Sequence, residues 1–232
     1  QTTAYEMLRS LVGSEMCIRD RYKAMKRKIV FKGNTLTMHT CKKNIKHIYI
    51  KRKAIEENLW YWDNHWKGRE IATSSRINWK EFRHCMMPLS KVLGVISALS
   101  PRQNWNGNLQ IAEDKIKTGD CGTITQFKDK ADAVIFSSGK PDEVWDILNG
   151  NKTQNFFMNL LYPDDKRYVT VDRHALSIAL GRTCTDQEKG LTDKQYEFFA
   201  NCYKELAQEL DLVPNFLQSI TWQTWRRINN IK

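Results

Sequence analysis

Residues 148–181 read LNGNKTQNFFMNLLYPDDKRYVTVDRHALSIALG, two short helices in succession with their punctuation in place. Asn149-Gly150 is a turn that ends one helix, and the next starts at Lys152 or Thr153 and runs through an apolar stretch to Leu161. Pro163 blocks its continuation, because proline has no amide donor and its ring clashes with the preceding turn. After a β-branched run, Asp172 or Thr170 caps a second helix that Gly181 terminates. Lys152 and Asp172 thus stand at two helix starts, about one helix apart. Taken singly, the lysine is a solvated first-turn residue and the aspartate a cap. Taken together, they also suit a site in which an amine and a carboxylate meet in space.

The helical pattern holds outward from this segment. LSKVLGVISAL, residues 89–99, is expected as the buried central helix, opened by Pro88 and ended at Ser100-Pro101. Residues 104–117 and 128–136 predict two more helices, and Pro141 opens another with acids in its first turn. Thr192-Asp193 caps a long amphipathic helix, and Pro214 opens a last one bearing Phe216, Ile220, Trp222 and Trp225, with Trp222 read as core. On the N-terminal side, residues 52–73 predict a helix whose apolar face is Leu59, Trp62, Trp66 and Ile71, and residues 78–86 predict another. The chain therefore reads as all-α, with nine or ten helices and short loops. Residues 1–50 are expected to form a basic arm, with KIVF and IYI as possible short strands, and residues 51–232 a single helical domain.

Composition narrows the function. The 232 residues carry a net charge of +11, and 41% of them are hydrophobic, which excludes a disordered chain. Residues 22–55 hold eleven Lys/Arg and no Asp/Glu. Such a balance suits a polyanion, from whose phosphates lysine and arginine release counterions. No run reaches the ~20 apolar residues of a membrane span, and the six cysteines are scattered without C-x-x-C or histidine clusters. A cytoplasmic protein with reduced thiols and no metal, no membrane and no cofactor is expected. LRSLVGSEMCIRDR, residues 8–21, resembles translated sequencing-adapter text, so a natural start at Met25 or Met38 is expected. Residues 1–37 contribute a net +5, and subtracting this from +11 leaves +6, so the basic character survives a trim.

Leu148, Gly150, Lys152-Thr153 and, twenty residues on, Val171-Asp172 with His174 resemble the motif of the helix-hairpin-helix base-excision DNA glycosylases, the superfamily of endonuclease III and 8-oxoguanine glycosylase. GVISALSPRQNWNGN, residues 94–108, resembles the family segment in which a serine-alanine pair precedes a polar loop inserted into DNA. The specific resemblance covers residues 88–181. It implies a two-lobed helical fold with the hairpin and Asp172 at an interlobe cleft, and a monomer that excises an altered base from DNA. This chain departs from the family in three places. The hairpin keeps one glycine and is about two residues shorter, Leu99 stands where a glutamine is frequent, and no cysteine follows Cys202 to hold an iron–sulfur cluster.

The resemblance makes Lys152 the nucleophile that forms a Schiff base with C1′ and Asp172 the carboxylate that stabilises the sugar cation, chemistry that needs these two groups at one carbon. Its DNA contacts would be Leu99, Arg102, Gln103, Asn104, Gly150, Asn151 and Thr153, with Arg226 and Arg227 on phosphate. Trp60, Tyr61 and His174 would line the pocket of an extruded base. The alternative is a helix-hairpin-helix nucleic-acid-binding protein that has lost the chemistry.

Overall fold

A computed structural model describes residues 27–74, 87–101, 103–122 and 127–231. The helix expected at 78–86, Arg102 and the adapter-like stretch lie outside the described residues. The described chain is all-α apart from one hairpin of β1 (Lys28–Phe31) and β2 (Asn34–Thr37). Its ten α-helices are α1 (Met38–Ile50), α2 (Trp60–Ser74), α3 (Leu89–Leu99), α4 (Trp105–Thr118), α5 (Lys128–Phe136), α6 (Pro141–Leu148), α7 (Asn151–Leu161), α8 (Arg173–Leu180), α9 (Asp193–Glu209) and α10 (Pro214–Ile228). No helix among the described residues is long and apolar enough to cross a membrane.

Two hydrophobic cores organise these helices. One is built from α2 to α7 around α3, which is buried from Ser90 to Leu99, as its mostly apolar composition favours. A Cβ at Gly94 would lie 2.7 Å from Val144 Cγ1 and 2.8 Å from Val134 Cγ1, so only glycine lets α5 and α6 approach this closely. Gly94→Ala is expected to cost about 1–3 kcal/mol of overpacking, read as a lower midpoint in urea unfolding.

The second core is made by the hairpin, α1 and α8 to α10. It contains Phe31, Met38, Cys41, Ile45 and Ile48, so residues 28–50 are not an arm and the domain does not begin at 51. KIVF is indeed a strand, whereas IYI ends α1. The basic residues obscured this segment because those among the described residues occupy outward positions. Lys42 reaches Glu205 and Glu209 on α9, while Cys41, Ile45 and Ile48 share the inward face. The described chain thus enters in the second core, crosses to the first through residues 51–59, and returns through residues 162–171.

The first crossing is pinned by a carboxylate. Glu56, in a single 3₁₀ turn, accepts from Arg227 Nε at 2.5 Å, Thr224 Oγ1 at 2.8 Å and its own Lys53 N at 2.8 Å. The Arg227 guanidinium draws the Glu56 carboxyl down from its ordinary 4.5 to about 2. Because the folded value lies below the unfolded one, the stabilisation is complete above pH 4.5 and is lost as pH falls toward 2. Glu56→Gln is expected to cost about 2 kcal/mol at pH 7. Urea unfolding should show the gap between wild type and variant narrowing in the acid range.

The apolar face of α2 is offset from the sequence reading. Tyr61, Asn64, His65, Gly68, Ile71 and Ala72 face inward, whereas Leu59 and Trp66 are about half exposed and Trp62 donates its indole N–H to Asp164 at the surface. Two polar side chains of the inward face bond to backbone carbonyls, while Asn64 Oδ1 is buried without a partner. Asn64 Nδ2 donates to Trp60 O at 2.6 Å, and His65 Nδ1 lies 2.9 Å from Leu160 O.

Candidate functional site

Between the two cores lies a cavity of about 950 Å³. One wall comes from α2, α4 and α7 through Trp60, Trp105 and Phe156, and the other from α8 and α10 through His174 and Trp222. The aromatic rings touch one another. Trp60 lies 4.9 Å from Trp105 and 6.3 Å from both Phe156 and Trp222, centroid to centroid. The floor is Tyr61, almost fully buried, whose hydroxyl donates to Gln218 Oε1 at 2.9 Å. Burial pushes the Tyr61 phenol well above its usual range, so it stays protonated and keeps this donor.

Asp172 enters at the head of α8 in extended backbone. Its Oδ1 accepts from His174 N at 3.0 Å and Ala175 N at 2.7 Å, which satisfies two amides the helix cannot pair itself. Its Oδ2 accepts from Trp222 Nε1 at 3.2 Å. The segment before it is anchored by Tyr196, whose hydroxyl accepts from Val171 N and donates to Val169 O. The capping and the chemical reading of Asp172 are therefore compatible, since one oxygen caps and the other faces the aromatic wall.

Lys152 lies in the first turn of α7 with its side chain exposed. The preceding turn is two residues long, with Asn149 at φ 38° and Gly150 at φ 123°, a conformation glycine alone adopts cheaply. Gly150 is the N-cap of α7 and has no side chain with which to cap it. Asn151 also lines the cavity and donates to Asp193 Oδ1 at 2.7 Å, tying α7 to α9.

Charge is asymmetric around the cavity. Lys152, Arg173, Lys189 and Arg226 line it, against the single carboxylate of Asp172. The ion pairs among the described residues include none to Lys152, Arg173 or Arg226. Arg226 instead stacks over Trp222, its guanidinium carbon 4.6 Å from the ring centroid. His174 accepts from Arg173 Nε at 3.3 Å. Burial lowers the His174 pKa, Asp172 opposes this, and Arg173, Arg226 and Lys152 lower it further, so the imidazole is a neutral group at pH 7. No cluster of His, Cys, Asp or Glu suited to a metal occurs among the described residues.

With this geometry in place, the comparison with known proteins has one positive result: a family model, "Family of unknown function (DUF7178)", matches residues 27–229. The chain belongs to that family. No curated protein and no solved structure matches it. The match spans both cores and starts one residue before β1.

Of the residues singled out from the sequence, Trp60, Tyr61, Gln103, Asn104, Asn151, Lys152, Asp172, His174 and Arg226 share this one cavity. Three expectations are corrected. Leu99 is fully buried in the first core, because α3 is packed on every side, and it presents nothing to a ligand. Arg227 is bound to Glu56 and to Lys51 O, so its guanidinium is a structural tie rather than a phosphate contact. Trp222 is not core but a wall of the cavity. Gly150 and Thr153 flank Lys152 without lining the cavity. Asn104 spends its carboxamide oxygen on the cap of α4, accepting from Gly107 N at 2.9 Å.

The sequence reading overlooked Trp105, Phe156, Arg173, Lys189 and Tyr196 as site residues. Phe156 had a signal, standing one helical turn after Lys152. Gln218, Trp222 and Arg226 recur at four-residue spacing, the stripe that one face of α10 turns to the cavity.

Proposed function

We propose that the protein is a DNA glycosylase with an associated abasic-site lyase activity. The observation that carries this reading is that Lys152 and Asp172, twenty residues apart in sequence, line one cavity with aromatic walls and a cationic rim. The cavity's volume of about 950 Å³ is at the upper end of ordinary small-molecule sites and has room for an extruded nucleoside. The aromatic rings supply faces for stacking, and the cations supply contacts for the flanking phosphates.

In this reading Asp172 stabilises positive charge as the bond between C1′ and the base breaks and the base departs with the bonding electrons. The Lys152 amine bonds to C1′ and gives up a proton. Opening of the sugar ring then leaves an imine, and β-elimination removes a C2′ proton to solvent, forms the C2′–C3′ double bond and breaks the C3′–O bond with phosphate as leaving group. The short turn at Asn149-Gly150 and the absence of a side-chain cap on α7 favour the second reading, a binding protein without the chemistry.

A panel of oligonucleotides with oxidised, deaminated, alkylated and hypermodified bases, and an abasic site, distinguishes the two. Base release from one class, with a borohydride-trapped covalent complex, is expected. Tight DNA binding with neither release nor trapping across the panel would replace the enzyme with the binder. Affinity should also fall with salt. Lys152, Arg173 and Arg226, the cavity cations without an ion pair among the described residues, alone predict a loss of about fortyfold between 50 and 200 mM. An affinity flat over that range would remove DNA as the partner under either reading.

A further inference from the structure

We propose that Trp222 is a positioning residue for Asp172: its indole N–H, 3.2 Å from Oδ2, locks the carboxylate in the orientation used in base release. This inference rests on the glycosylase reading and adds to it a residue that would not act on the sugar. A carboxylate offers about four acceptor sites on its two oxygens. In Asp172 two donors, both backbone amides of α8, lie on Oδ1. Those two fasten the group at one oxygen only, so the carboxylate plane can still rock about the anchored Oδ1. The Trp222 indole restrains that motion from a second helix on the same wall, since it comes from α10 and not from α8.

The indole is itself held in place. The Arg226 guanidinium covers its face at 4.6 Å, the His174 ring meets it edge-on at 6.2 Å, and Trp60 lies 6.3 Å away. Trp222 is thus a rigid donor, and three donors on about four acceptor sites leave Asp172 one further site. A mobile carboxylate would spend part of its time turned away from the developing charge, and the rate would fall in proportion while binding of DNA stayed the same.

The test is Trp222→Phe, which keeps an aromatic ring in the wall and removes the N–H. On the oligonucleotide that the wild-type protein cleaves best, kcat should fall about tenfold with KM within twofold. A parallel measurement needs neither substrate nor the variant. The Trp222 indole N–H resonance, assigned in the wild type through its own backbone amide, should move upfield in Asp172→Asn and lose protection from hydrogen exchange. A purely structural wall would show the reverse kinetic pattern, a raised KM with kcat unchanged, and that result overturns the proposal. An indole resonance indifferent to Asp172→Asn overturns it as well, whether or not Trp222→Phe folds. If the wild-type protein releases no base from any substrate, the glycosylase reading falls and this inference falls with it. Release by the wild type with kcat unaffected in Trp222→Phe sinks only the inference.

Discussion

Lys152→Gln is expected to abolish borohydride trapping on abasic DNA, a loss of more than a hundredfold in covalent complex, while DNA affinity changes by no more than about threefold. Lys152 is exposed in the first turn of α7, makes no ion pair among the described residues and lies outside both cores, so its replacement leaves the fold within about 0.5 kcal/mol of wild type. Binding loses one of four cavity cations, a modest part of the phosphate attraction. Trapping loses everything, because the imine that borohydride reduces cannot form on an amide. Gel-resolved trapping beside fluorescence anisotropy reads both quantities. Trapping retained in the variant would assign the Schiff base to another amine, and Lys189 on the same rim would be the next to replace.

Asp172→Asn is expected to slow base release by about 10²–10³-fold, the loss typical of one preorganised electrostatic group facing developing charge. This substitution separates the two roles of the residue. Asparagine is as good an N-cap as aspartate, so α8 keeps its amide partners at His174 and Ala175, and thermal unfolding should move by only a few degrees. Release measured under single-turnover conditions isolates the chemical step from product dissociation. A variant that unfolds, or one that releases base at the wild-type rate, would reduce Asp172 to its capping role. Asp172→Ala gives the complementary result: it removes cap and charge together, at a further cost of about 1 kcal/mol in stability.

Much of the helical scaffold was legible in the chain because its signals are local. Asn104 and Asp172 cap α4 and α8, Thr192 caps α9, Pro141 and Pro214 open α6 and α10, and Gly181 ends α8, each through hydrogen bonds or dihedrals spanning a few residues. The burial of α3 was equally plain, since a predominantly apolar helix with only Ser90, Lys91 and Ser97 as polar members goes to the interior. By contrast, α1 was hidden by its own charge. Lys42, Lys43 and Lys46 dominate its composition, yet a helix buries only one stripe, and Cys41, Ile45 and Ile48 lie on it.

The chain by itself determined an all-α protein, the points where its helices start and stop, and a lysine and an aspartate placed at two helix starts. Only the tertiary structure decided which side chains share the cavity, because that depends on contacts between elements far apart in sequence. Arg226 and Arg227 are neighbours with the same chemistry, yet one lines the cavity and the other is bound to Glu56, about 170 residues away along the chain. Successive residues on a helix point about 100° apart, and which direction faces a partner is set by how α10 packs, not by its own sequence. The same reason moved Trp62 and Trp66 to the surface and Trp222 to the cavity wall. Aromatic residues carry the same hydrophobic signal at either place, and only the packing of α2 and α10 assigns them.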